Sequence, residues 1–130
     1  MLESKFQAIL KTRCQEEGAF YKKFNERFAS GWPDCLLAAN DKSIYVELKT
    51  FDSEPTPAAM LKAFTGLQQA TLHRLNRYGL TARGLIAVGE NKRDLVLFMY
   101  NPVNGHLYKI GLLQCFKSIE DLIVRLSADN

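Results

Sequence analysis

The chain has few of the residues that build covalent or thiolate scaffolds. It carries three cysteines, Cys14, Cys35 and Cys115, and two histidines, His73 and His106. The cysteines are odd in number and none stand in a CxxC spacing, so neither a disulfide framework nor a zinc site is indicated. Their expected place is as small buried residues in a reducing compartment. Each histidine stands alone and reads as an ordinary core or surface residue. No apolar run is long enough to cross a bilayer. The N-terminus lacks the apolar stretch of a secretory signal. A cytoplasmic protein with no membrane partner is expected. Internal repeats and low-complexity segments are also missing. A large charge of one sign is missing too, since 17 basic and 14 acidic residues leave only +3. At 130 residues and 47% hydrophobic content, residues 1–130 read as one domain with a real core.

What is present is concentrated in GWPDCLLAANDKSIYVELKT, from Gly31 to Thr50. Residues 34–39 follow a proline and form a short apolar run, which predicts a largely buried strand. Asn40-Asp41-Lys42 is turn chemistry. Residues 43–50 then alternate. Ile44, Val46 and Leu48 point to one face, and Tyr45, Glu47 and Lys49 to the other. Glu47 and Lys49 thus share a face, roughly 7 Å apart along the strand. Hairpin pairing brings Asp34 beside them.

Two carboxylates held together repel unless a cation lies between them. A hard ion such as Mg²⁺ or Mn²⁺ takes oxygen ligands. Asp34 and Glu47 supply two, and the backbone carbonyl of Leu48 is placed to supply a third. Such an ion activates water and neutralises phosphate oxygens. Lys49 is suited to act on that water or on the developing charge. The cluster fits metal-assisted hydrolysis of a phosphodiester.

Pro33-Asp34, twelve residues, then Glu47-Leu48-Lys49 resembles the signature of the PD-(D/E)XK nucleases. Gly31-Trp32-Pro33-Asp34 is similar to the G-x-P-D of the VRR-NUC and Holliday-junction-resolvase-like branch. The resemblance covers about residues 3–90. It implies an α/β fold with a restriction-endonuclease-like core, αβββαβ, in which a mixed central sheet is flanked by helices. It also implies a catalytic glutamate in an early helix, matched by Glu3, and a glutamine in a later helix, matched by Gln68. The same residues have plainer readings. Glu3 is a first-turn acid that a helix dipole favours. Gln68 closes a capping box onto Thr65. Glu16 and Glu17 are alternative acids at the wrong end of the first helix.

The remaining pattern supports that order of elements. Residues 3–17 are amphipathic and stop at Gly18. Phe20, Phe24 and Phe28 recur at four, as in a helix, while the resemblance implies a strand, expected at about residues 19–24. Residues 51–57 read as a loop and 57–64 as a short helical turn. Thr65 opens a helix to Tyr78, ended by Gly79. Strands are expected at 83–88, 94–100 and 106–112, the last two joined at Asn104-Gly105. Ser118 caps a final helix striped by Ile119, Leu122, Ile123 and Leu126. The added hairpin and helix complete the predicted fold.

The expected function is a metal-dependent, structure-specific endonuclease acting on branched DNA such as Holliday junctions. The resemblance implies a bacterial or phage-infected host cell. A homodimer is expected, paired through the hairpin around residues 98–108 or the stripe of the final helix. Lys22, Lys23, Arg27 and Arg74 are candidate phosphate contacts. Lys92 and Arg93 read as solvated. Two alternatives stand beside this: a flap or nicking nuclease, and a catalytically silent nucleic-acid-binding subunit.

Overall fold

In a computed structural model of the chain, residues 1–25 and 31–128 are described. Arg27 and Phe28 lie outside the described residues. The chain forms α1 (Glu3–Glu17), β1 (Phe20–Lys23), β2 (Cys35–Ala39), β3 (Lys42–Phe51), α2 (Pro57–Lys62), α3 (Gly66–Arg77), β4 (Ala82–Val88), β5 (Val96–Asn101), β6 (His106–Leu112) and α4 (Ile119–Leu126). The six strands make one sheet in sequence order. Among the described residues only β3 and β4 pair in parallel. A parallel pair needs a crossover, and α2 and α3 provide it.

The alternation of β3 builds the two faces of the sheet. Ile44, Val46 and Leu48 join Phe6, Leu10 and Cys14 of α1 and Ile119, Leu122, Ile123 and Leu126 of α4 in one core. Tyr45 and Phe51 border a second core with Met60, Phe64, Leu72, Leu75, Ile86 and Phe98. Each such side chain contributes about 1.5–3 kcal/mol when fully buried. β4 lies between both cores, and all seven of its residues are buried.

Most expected elements are found. Residues 20–23 are a strand because Phe20 to Lys23 pair with Ala38 to Cys35. β5 starts at Val96 rather than Asp94, since Lys92–Asp94 close a 3₁₀ turn first. Cys14 and Cys35 are buried, which pushes both thiols up, that of Cys14 to about 11. Cys115, expected buried, is exposed. His73 and His106 are on the surface. No helix among the described residues is long and apolar enough to cross a membrane.

The α4 stripe is fully buried against the sheet. Phe98 and Tyr100, in the hairpin expected to pair copies, are also buried. Glu17 accepts from the Ile119 amide at 2.6 Å and from Arg13 Nε at 2.8 Å. Arg13 also donates to the carbonyls of Leu113, at 3.1 Å, and Phe116. Glu17 therefore anchors the start of α4, which removes it as an alternative acid for the hairpin cluster.

Candidate active site

β2 begins only at Cys35, so the Leu48 amide on β3 lies beyond its first residue. The Asp34 carboxylate fills that place, accepting from Leu48 N at 2.7 Å. Pro33 is buried just before it, and its ring limits the backbone there. Gly31 lets the loop pass α3. Its φ is +82°, and a Cβ would come within 2.6 Å of Leu67 Cγ.

Glu47 is on the α3 side of β3, only 2% exposed. Glu3, Asp34 and Glu47 can each offer an oxygen such that all three atoms lie within 4.8 Å of one another. Burial raises the Glu47 carboxyl from 4.5 to about 8, and the charge of Asp34 adds to the rise. Lys49 pulls the other way, with Nζ 3.4 Å from Glu47 Oε2. Among the described residues, Glu47 Oε1 is buried without a hydrogen-bond partner. Such an orphaned acceptor is costly, and a divalent cation satisfies it. The donor set is all oxygen, as Mg²⁺ or Mn²⁺ requires. The residues fit the metal.

Gln68 does two jobs at once. Its Oε1 accepts from the Thr65 amide at 3.0 Å, while Thr65 Oγ1 accepts from the Gln68 amide at 3.1 Å. Its Nε2 donates to Glu47 Oε2 at 2.9 Å. The cap and the contact with Glu47 use the two ends of one amide. Gln68→Glu tests this. The carboxylate keeps an acceptor for the cap but loses the donor and adds a like charge. Melting temperature should change little while cleavage falls on the order of a hundredfold, as for a lost 2–3 kcal/mol contact. Thr65→Ala should do the reverse, costing about 1 kcal/mol of stability with most activity retained. Equal losses in both readouts for the two variants would separate Gln68 from the site.

The floor beneath Lys49 escapes the sequence reading. Lys49 Nζ lies 5.9 Å from the centre of the Phe64 ring, within cation–π range. Phe64 stacks on Tyr100, centroids 5.0 Å apart. The ring fits because Gly84, opposite Glu47 in the β3–β4 register, has no side chain. A Cβ there would meet Phe64 Cζ at 2.4 Å. A glycine inside a strand is the signal that marks such a close approach. Gly84→Ala should cost about 1–3 kcal/mol by overpacking and slow cleavage by displacing the ring under Lys49. An unchanged urea midpoint would contradict the contact.

The candidate basic residues separate. Lys23 lines a cleft of about 600 Å³ with Glu3, Gln7, Phe24, Asn25 and Asp34. Lys22 alternates to the other face of β1, opposite Leu36. Arg74 is exposed in the last turn of α3, far along the helix from Gln68. The hairpin, α1 and α3 thus bring together Glu3, Asp34, Glu47, Lys49 and Gln68, with Lys23 at the cleft and Arg74 outside it.

By sequence, no protein-family model matches the chain, and no curated protein matches it significantly. By structure it is similar to Hjc, a Holliday junction resolvase from the archaeal hyperthermophile Archaeoglobus fulgidus. The TM-score is 0.53 at 15% identity, covering 82% of this chain and 85% of that one. The six-stranded sheet flanked by helices is of the restriction-endonuclease type.

Proposed function

We propose that the chain is a metal-dependent, structure-specific DNA endonuclease of the VRR-NUC or resolvase-like kind, hydrolysing phosphodiester bonds in branched DNA. The observation that carries this reading is the meeting of three carboxylates beside Lys49, with one buried oxygen of Glu47 left without a partner among the described residues. Asp34, Glu47 and Glu3 would hold Mg²⁺ or Mn²⁺, with the Leu48 carbonyl as a further ligand. The bound ion supplies Lewis acidity and lowers the pKa of water. The chain's own residues do the rest. Gln68 fixes the Glu47 carboxylate. The Lys49 ammonium, 3.4 Å from the Glu47 carboxylate, would meet either the attacking water or the phosphate charge. Lys23 draws the phosphate chain towards the carboxylates.

A panel of four-way junctions, flaps, nicked duplexes and linear duplexes, each with Mg²⁺, Mn²⁺, Ca²⁺ or a chelator, tests the reading. Cleavage of branched forms with Mg²⁺ or Mn²⁺ supports it. Undiminished activity in chelator removes it. A homodimer would set two such sites across a symmetric junction. Burial of the α4 stripe and of Phe98 and Tyr100 within the protein's own cores favours the second reading, a flap or nicking enzyme with one site. Light scattering with and without a junction separates them, because a monomer in both conditions fits only the second.

Phosphate contacts make binding steeply salt-dependent. Replacing Lys22 and Lys23 together by alanine should flatten the slope of log K against log salt by about 2 on every DNA sequence alike. A loss confined to one sequence would mean that these lysines read bases.

A further inference from the structure

Phe24, Trp32 and Tyr45 form one aromatic cluster, and Phe24 carries it to the cleft that Glu3 and Asp34 line. Their ring centroids are 6.0, 5.9 and 5.9 Å apart. Phe24 and Tyr45 are nearly parallel, 19° between planes, and Trp32 meets both edge-on. All three are half-buried. Trp32 and Tyr45 touch the rim of the second core, so packing alone accounts for part of each ring. Three further facts concern the open part. Phe24 lines the same cleft as Glu3 and Asp34. Tyr45 precedes Glu47 by two residues on one strand face, so it stands about 7 Å from it along β3. Lys22 is aligned with Leu36, and Leu36 with Tyr45, which puts an exposed ammonium on the aromatic face.

We infer that this trio is a stacking platform for an unpaired nucleobase of the strand whose phosphate lies at the carboxylates. The inference rests on the nuclease reading and names the feature of DNA that it selects. Aromatic faces bind any base that has left the helical stack, and a nearby cation holds its phosphate. A fully paired duplex offers no base face to the rings. Flaps, gaps and opened junction centres do. The platform therefore supplies a preference for branched or gapped DNA without reading sequence.

Trp32 is the chain's one tryptophan, so its emission reports on the platform directly. The full chain is titrated in Ca²⁺ with a gapped duplex and with a fully paired duplex of equal length. The gapped DNA should quench Trp32 and the paired DNA should leave it unchanged. Phe24→Leu and Tyr45→Leu should each lower the preference for gapped over paired DNA on the order of tenfold, and Tyr45→Phe, which keeps the ring, should restore it. The wild-type titration stands even where a leucine variant fails to fold. Equal quenching by both DNAs, or none by either, in a protein that still binds and cuts DNA overturns the platform and leaves the nuclease reading standing. Failure to bind or cut any DNA overturns both.

Discussion

Asp34→Asn and Glu47→Gln should each lower the cleavage rate on the order of a thousandfold, the loss of several kcal/mol of metal-derived stabilisation. Both substitutions nearly conserve volume. The carboxamide that replaces the Asp34 carboxylate still offers an oxygen to the Leu48 amide, so the end of β2 keeps its hydrogen bond. Calorimetry should show that both variants lose Mg²⁺ affinity. Lys49→Ala should also cost most of the activity but retain much of that affinity, because its ammonium is not a ligand. Glu3→Gln should have a smaller effect, since Glu3 is exposed and its replacement changes the solvent-facing side of the cluster. A wild-type rate in either the Asp34 or the Glu47 variant, measured on protein free of contaminating nuclease, would refute the site.

In metal-free buffer, the protein should lose stability as the pH rises from about 4.5 to about 8. Glu47 has an ordinary value of 4.5 when unfolded and about 8 when folded. Between those values the native state holds a proton that the unfolded chain has released. Stability then falls with pH, and the contribution of this carboxyl is fully present below the lower value and lost above the upper. The total is on the order of a few kcal/mol. Burial is the leading cause, so Glu47→Gln should flatten the curve and leave the variant more stable than wild type at pH about 8. Mg²⁺ should restore the wild type there, because a ligand of the native state stabilises it by mass action. Urea melts with chelator across this range decide the matter. Parallel curves for wild type and Glu47→Gln would show that the carboxyl is ionised in the folded protein.

The sheet was legible where one strand carried the whole signal. Residues 43–50 alternate cleanly, and the two faces of β3 follow from that alone. Residues 34–39 and the Thr65 cap were legible for the same local reason. Other features depend on distant partners. The cap and the carboxylate contact of Gln68 compete on paper, yet an amide has one acceptor and one donor end and serves both. Phe24, Trp32 and Tyr45 share no sequence period; only the pairing of β1, β2 and β3 collects them. Lys22 and Lys23 are adjacent in sequence, and the strand period of two sends them to opposite faces. The stripe of α4 was plain, but a stripe does not say whether its own sheet or a second copy will cover it. Asp34, Glu47 and Lys49 were visible as a set because one hairpin holds them, whereas Glu3 needed the resemblance to be singled out.

The tie between α1 and the start of α4 has a consequence for how the chain acquires its structure. Arg13 and Glu17 reach partners 100 to 103 residues away, and Phe6, Leu10 and Cys14 share a core with Leu122 and Leu126. During synthesis, α1 and the first hairpin emerge long before α4 exists. One face of the sheet then waits with its apolar side chains in water. Contacts of such long separation are slow to form. Until they do, the nascent chain exposes surfaces on which aggregation begins. Refolding from denaturant should accordingly be most productive in dilute solution, where the first hairpin meets its own α4 before it meets another molecule.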